Sequence, residues 1–315
     1  MSKEFLSFKS SYDALRLYAT VFVPDSDPIG IVQVMHGMME VRQNYEHLGN
    51  TLSSKGFVVV VPDLRGHGDT IDENHPLGFF ANENGWITTL RDMNMFTQWV
   101  RERYRNLPFF IYGHSMGSLI ARSFLKRYEY KLSGLILSGS PAPHFAVRTL
   151  ENYVDFRIKN EGIKAPSNFF HKVFFGSLDN KFKDEAIKNA WLSHDINVVK
   201  EYNNNDKCGF VFTHGGVKDL AFGMRDVYVN KDWHKLKPWL PILFVVGKQD
   251  SCANYPSGIS SAIKKLQVIG YRDIELYSYE GRRHVLHQGK GSTQFLNDIS
   301  EWLMNVISQI ELDKQ

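Results

Sequence analysis

The chain has 315 residues, with 37 Lys and Arg against 34 Asp and Glu, a net charge of +3. That balance, with no Lys/Arg block, excludes an electrostatic nucleic-acid binder, and the 43% hydrophobic content is that of a globular protein with a large core. Cys208 and Cys252 are too few for a disulfide framework, so reduced thiols are expected, and no metal-ligand spacing involves them.

Met1 to Tyr12 lacks the basic and apolar regions of a signal peptide. No run reaches the ~20 apolar residues of a membrane span. A soluble, cytoplasmic protein is therefore expected. Strands are predicted at Arg16–Val23, Gly30–Met35, Gly56–Val61, Leu107–Tyr112, Leu132–Leu137, Pro241–Val246 and Asp273–Tyr279. Their continuous apolar runs point to strands covered on both faces, as in a parallel sheet. Helical spacing lies between them. It links Leu90, Met93, Phe96 and Val100, then Ala121, Phe124, Leu125 and Tyr128. The last stripe runs from Phe295 through Ile299, Trp302, Leu303 and Val306 to Ile310, with Ser292 or Thr293 as its cap. The alternation predicts an α/β fold with crossover helices. Residues 142–240 break the rhythm and read as a mostly helical insertion rich in aromatics. The main domain would then comprise residues 1–141 and 241–315.

Gly113-His114-Ser115-Met116-Gly117 follows an apolar strand and opens a helical pattern. That is the setting of a nucleophile elbow, whose tight turn exposes a serine hydroxyl at the strand's carboxyl end. A serine needs a base to remove its proton, and the chain order Ser, Asp/Glu, His places acid and base downstream. Gly247-Lys248-Gln249-Asp250 ends one later strand, and Glu280-Gly281-Arg282-Arg283-His284 ends the next. Asp250 and His284 are the expected acid and base. His287 is a rival base, but His284 follows the strand end more closely. Oxyanion donors are expected at the backbone N–H of Met116 and, after the turn His36-Gly37, of Met38. Asp63-Leu64-Arg65-Gly66-His67-Gly68 reads as a structural turn, with Arg65 or His67 bracing the neighbouring loops.

Five segments, His36-Gly37-Met38-Met39-Glu40, Asp63-Leu64-Arg65-Gly66-His67-Gly68, Gly113-His114-Ser115-Met116-Gly117, Gly247-Lys248-Gln249-Asp250 and His284-Val285-Leu286-His287, resemble the monoacylglycerol lipase and lysophospholipase-like branch of the α/β hydrolases, the serine aminopeptidase S33-like group. Trp191-Leu192-Ser193-His194-Asp195 and Cys208-Gly209-Phe210-Val211-Phe212-Thr213 are similar to segments of bacterial lysophospholipase-like members. The resemblance covers nearly the whole chain. It implies the α/β-hydrolase fold: a mostly parallel eight-stranded sheet flanked by helices, with a helical cap after strand 6. It also implies that the first histidine of His284-Val285-Leu286-His287 is catalytic and that no metal or organic cofactor is needed. One departure stands out. The family's first loop reads His-Gly-x-Gly/Ala-Glu-His, whereas Met39 and Val41 stand here, and Met39 is expected to narrow the pocket mouth.

The expected reaction is hydrolysis of a lipid-like ester through an acyl-enzyme. Phe169, Phe170, Phe174 and Phe175 are candidates for an acyl channel or a lip that touches membrane or micelle, although packing of the cap onto the main domain is the favoured reading of them. Cys252, two residues past Asp250, is expected near the site and sensitive to thiol reagents. Short-chain esterase and aminopeptidase readings compete. The latter needs an acidic group for a free amine, from Glu40, Asp195 or Asp219. A non-catalytic binding protein is disfavoured because every element is present. Ser115 argues against dehalogenase or epoxide hydrolase chemistry, which places Asp at the elbow.

Overall fold

The computed structural model describes residues 1–142, 147–233 and 235–313. Eight strands form one sheet: β1 Ser2–Lys9, β2 Arg16–Val23, β3 Gly30–Met35, β4 Phe57–Pro62, β5 Phe109–His114, β6 Gly134–Ser138, β7 Ile242–Gly247 and β8 Ile274–Tyr279. Their order is β1-β2-β4-β3-β5-β6-β7-β8, with β1, β2 and β4 joined antiparallel and the rest parallel. The helices are α1 Glu46–Ser54, α2 Gly85–Arg103, α3 Met116–Tyr128, α4 Val147–Glu161, α5 Asn168–Asp179, α6 Ile196–Asn203, α7 His214–Tyr228, α8 Ser257–Ile269 and α9 Ser292–Leu312.

The valine run of β4 shows why the sheet takes a two-sided cover. Val58 and Val60 join the apolar cluster that includes α2 and α3, while Val59 and Val61 join the cluster of α1 and α9. Alternate side chains point to opposite faces, so a run buried on both is apolar throughout. The stripe of α9, from Phe295 to Val306, closes the second cluster.

Two elements differ from the sequence reading. β1 was passed over because it is an edge strand: Leu6 and Phe8 pack inward, Phe8 lying 4.6 Å from the Phe96 ring, while Lys3, Phe5 and Lys9 face out and Glu4 shares the inner face. Its composition is therefore polar, and only the alternation marks it. The C-terminal helix is capped neither by Ser292 nor by Thr293. Gly291, at φ +79°, precedes it, and Ser292 is its first residue.

Between β6 and β7 the chain leaves the sheet for α4 to α7. The α7 helix packs on α3 and α4. Arg283, beyond β8, donates to the carbonyls of Ala190 at 2.7 Å and Ser193 at 3.1 Å, and to Glu185 Oε2 at 2.9 Å. Val285 N–H donates to Leu192 O at 2.8 Å. Asp219 of α7 accepts from Trp86 N–H at the start of α2 at 3.1 Å. The inserted helices are thus fastened over the carboxyl ends of the parallel strands.

Candidate active site

In a parallel sheet all carboxyl ends lie on one edge, where the following loops converge. Ser115 follows β5, Gly139 follows β6, Asp250 lies past β7 and His284 past β8. Ser115 sits at φ +52°, ψ −121°, a strained conformation for a residue with a side chain. Its flanking glycines permit this turn. A Cβ on Gly117 would lie 1.9 Å from the Met35 carbonyl oxygen, and one on Gly113 2.6 Å from that of Gly117. Ser115 N–H donates to Ser138 O at 2.9 Å, and Ser118 Oγ to Ser115 O at 2.6 Å, fixing the turn between β6 and α3.

His284 Nδ1 lies 2.8 Å from Asp250 Oδ2. Asp250 is fully buried, and its other oxygen accepts the N–H groups of Cys252 at 2.8 Å and Ala253 at 3.1 Å. The carboxylate is acceptor-only, so it selects the tautomer with the proton on Nδ1 and leaves Nε2 a free lone pair. Nε2 has no partner among the described residues. Ser115 and His284 line the same cavity without a mutual hydrogen bond, and the serine hydroxyl lies against the Cys252 thiol. Such catalytic contacts tighten when substrate binds.

His287 is placed differently. It is fully buried, stacks on Tyr45 with ring centroids 4.3 Å apart, and neither ring nitrogen has a partner among the described residues. Burial pushes its pKa down to about 3, so it is a neutral core residue. His114 and His67 are likewise buried and held well below the usual histidine range, first by desolvation and then by neighbouring histidines. Arg65 braces the loops as expected, donating to Asp92 Oδ2 at 2.7 Å, Asp13 Oδ2 at 2.9 Å and Phe80 O at 2.6 Å.

Met116 is the first residue of α3, and the first N–H groups of a helix lack intrahelical acceptors. Met38 and Met116 both line the cavity, and no hydrogen bond from either N–H is found among the described residues. The Met38 loop is held by Glu40, whose Oε2 accepts Gly37 N–H at 2.7 Å and Tyr45 O–H at 2.5 Å. Burial pushes the Glu40 carboxyl up, against the pull of those donors.

The cavity is narrow, about 40 Å³, and Phe174, Phe175, Trp191, Leu192 and Tyr202 close over it. The Trp191 ring lies 4.8 Å from that of His284. Phe174, Leu220 and Met224 also wall a second, apolar cavity of about 590 Å³ between α4, α5 and α7. Of the four phenylalanines singled out in the sequence, Phe174 and Phe175 reach the first cavity, while Phe169 and Phe170 line only the second. Met39 does not narrow the mouth. Its φ of +59° turns it into the core, 3% exposed and outside the lining. Cys252 does line the cavity, but burial and the Asp250 carboxylate raise its thiol pKa well above the ordinary value. A raised pKa lowers the fraction of thiolate, the form that reacts with thiol reagents.

Gly139 was missed by the sequence reading. At φ +54° it passes under the acid–base pair, and a Cβ there would lie 3.0 Å from His284 Cε1 and Nδ1 and 3.2 Å from Asp250 Oδ2. Its only sequence signal is a glycine directly after a buried strand, Leu137-Ser138-Gly139.

A doubly covered, mostly parallel sheet with a strained serine between β5 and α3 defines the class: the chain is an α/β-hydrolase and a serine hydrolase. Residues 26–290 match the family described as serine aminopeptidase, S33, and the chain belongs to that family. A monoacylglycerol lipase of Mycolicibacterium smegmatis is 24% identical over 92% of this chain and 94% of its own length. A monoglyceride lipase of Rattus norvegicus is 23% identical, covering 94% and 89%. A thermostable carboxyl esterase from Bacillus coagulans, solved with glycerol, superposes with a TM-score of 0.89 at 26% identity, covering 98% of this chain and 99% of that one.

Proposed function

We propose that this protein hydrolyses lipid-like carboxylic esters, of the monoacylglycerol or lysophospholipid kind, with Ser115 as nucleophile, His284 as base and Asp250 as its orienting acid. The observation that carries the assignment is the His284–Asp250 pair, with Nε2 left unpaired beside a strained serine on one cavity. His284 Nε2 takes the Ser115 proton as Oγ attacks the ester carbonyl. The Met38 and Met116 N–H groups receive the oxyanion. His284 returns the proton to the departing alcohol, then activates a water that hydrolyses the acyl-enzyme and releases the acid. Asp250 stabilises the imidazolium formed in both steps.

Matched monoacylglycerol and monoglyceride lipases favour a lipid ester. So does the lining, which is mostly apolar, with Glu40, His114 and Tyr202 the polar side chains beside the reacting groups. We assign residues 142–240 as the cap and the remainder as the catalytic domain. The 40 Å³ cavity is far below the ~300 Å³ of an ordinary ligand pocket, whereas the 590 Å³ cavity beyond Phe174 is within that range. A long acyl chain therefore requires Phe174 to yield. Phe156, Phe169 and Val173 are exposed on the cap and are the side chains that would enter a lipid surface. No described helix is long and apolar enough to cross a membrane.

An aminopeptidase site would need a carboxylate for the substrate ammonium. Glu40 is committed to Gly37 and Tyr45, Asp195 caps α6 and accepts Lys290 N–H, and Asp219 holds the start of α2. Of the three only Glu40 lines the cavity, and the Oε2 atom of its carboxyl group is already taken by those two donors.

A fluorophosphonate probe should label Ser115 and fail to label Ser115→Ala. An acyl-chain series of p-nitrophenyl esters should then favour long chains, with sedimentation on phosphatidylcholine vesicles reading the cap's lipid contact. Absence of labelling in folded protein would sink the mechanism. Labelling with a sharp preference for two to four carbons, and no sedimentation, would leave an esterase and remove the lipid substrate.

A further inference from the structure

The loop between β3 and α1 carries Met38 and is gripped from two sides. On the sheet side, Arg42 is buried between carboxylates. Its Nη1 donates to Asp63 Oδ2, its Nη2 to Asp69 Oδ2 at 2.6 Å, and its backbone N–H to Asp63 Oδ1 at 2.8 Å. Asp63 is fully buried and also accepts Asp69 N–H at 3.0 Å. Gly68 makes room for it, since a Cβ there would lie 2.3 Å from the Asp63 carboxylate. On the other side stands the inserted segment. Lys207 Nζ donates to Asp69 Oδ1, and Gly209 N–H donates to the Met39 carbonyl at 3.2 Å. Lys207 holds the Asp69 carboxyl below its ordinary range, with Arg42 adding to the effect.

A buried Arg–carboxylate pair is a weak stability device, because desolvation offsets the attraction. What the guanidinium fork supplies is fixed geometry. Here that geometry is spent on one backbone segment, which holds Met39 at φ +59° and places Met38 on the catalytic cavity. The contacts run without a break, Lys207–Asp69–Arg42–Asp63, from the insertion to the foot of that loop.

We propose that Arg42 is a positioning residue for the oxyanion donor at Met38, and that Lys207 makes its grip depend on the insertion being docked. The inference rests on the ester-hydrolase reading above. Arg42 touches neither Ser115 nor the cavity; it acts through Val41 and Glu40, whose carboxyl group in turn holds Gly37 N–H.

The test measures kcat and KM separately on p-nitrophenyl butyrate for Lys207→Ala, Asp69→Asn, the double variant and Arg42→Lys, with thermal midpoints alongside. Oxyanion binding is realised in the transition state, so its loss lowers kcat and leaves KM unchanged. The half-exposed Lys207–Asp69 pair predicts a fall of about two- to fivefold in Lys207→Ala. Asp69→Asn, which weakens a charged acceptor for Arg42, should fall about tenfold. The double variant should be no worse than Asp69→Asn alone, because Lys207 acts through Asp69. Arg42→Lys keeps the charge without the fork and should fall at least as far as Asp69→Asn. Unchanged kcat in the first two variants, losses that multiply in the double variant, or effects confined to KM or to the thermal midpoint would each overturn the inference. An inactive wild type, or activity surviving in Ser115→Ala, would instead remove the ester-hydrolase reading, and the inference with it.

Discussion

At the scale of single residues, the site is made as much by absent side chains as by present ones. Gly113 and Gly117 let β5 and α3 meet closely enough to strain Ser115, and Gly139 gives the His284 ring its place. In Gly139→Ala the new Cβ meets that ring at 3.0 Å, on a backbone at φ +54° that disfavours any side chain. Displacing the base by a fraction of an ångström is expected to lower ester turnover by about 10²-fold. Stability should fall by about 1–2 kcal/mol in urea titration. Wild-type turnover in a folded Gly139→Ala variant would show that the ring has room to spare. Ser115, Asp250 and His284 were legible in the sequence because each lies in the segment just past a strand. Gly139 follows one too, but a glycine carries no chemistry to search for.

Among elements, α5 decides what the cavity admits. Phe174 separates the narrow catalytic space from the apolar cavity between α4, α5 and α7. Phe174→Ala should join the two. The kcat/KM ratio for twelve- to sixteen-carbon over four-carbon p-nitrophenyl esters is expected to rise at least about fivefold, since each buried methylene contributes ~0.8 kcal/mol. An unchanged ratio would place the acyl chain elsewhere. The sequence marked the aromatics of α5 but not which of them face the site. Phe169 and Phe170 adjoin one another yet miss the catalytic cavity, and Phe174 and Phe175 line it. Helix phase follows from spacing, but which side of α5 meets the catalytic cavity follows from its packing partners. β1 was missed for a related reason: only Leu6 and Phe8 make its inner face apolar, and Glu4 on that face with Phe5 on the other blurs the alternation.

Across the whole molecule, the carboxyl edge of the sheet gathers buried histidines. His36, His67, His114 and His287 are all held below the usual imidazole range, with desolvation the first cause in each. The unfolded chain binds protons near pH 6.5, whereas His287 in the folded chain resists them down to about 3. The unfolded state therefore takes up more protons as pH falls. Stability is full above about pH 7 and is lost progressively below about 6.5. Urea midpoints recorded from about pH 8 to 4 should decline over that window, and less steeply in His287→Phe. A flat profile would mean these rings are hydrated in solution.

The sequence by itself determined the alternation of strands and helices, a mostly helical stretch over residues 142–240 and the order Ser, Asp, His. These follow from local rules: apolar runs make buried strands, and residues at strand ends reach the carboxyl edge. Tertiary structure decided what becomes of His287, three residues past the favoured His284. His284 bonds the carboxylate, while His287 turns onto Tyr45 in the core. It also decided that Met39 is core and that Lys207 reaches Arg42 through Asp69. Those outcomes depend on segments brought together across many residues of chain, and spacing along the chain carries no record of such meetings.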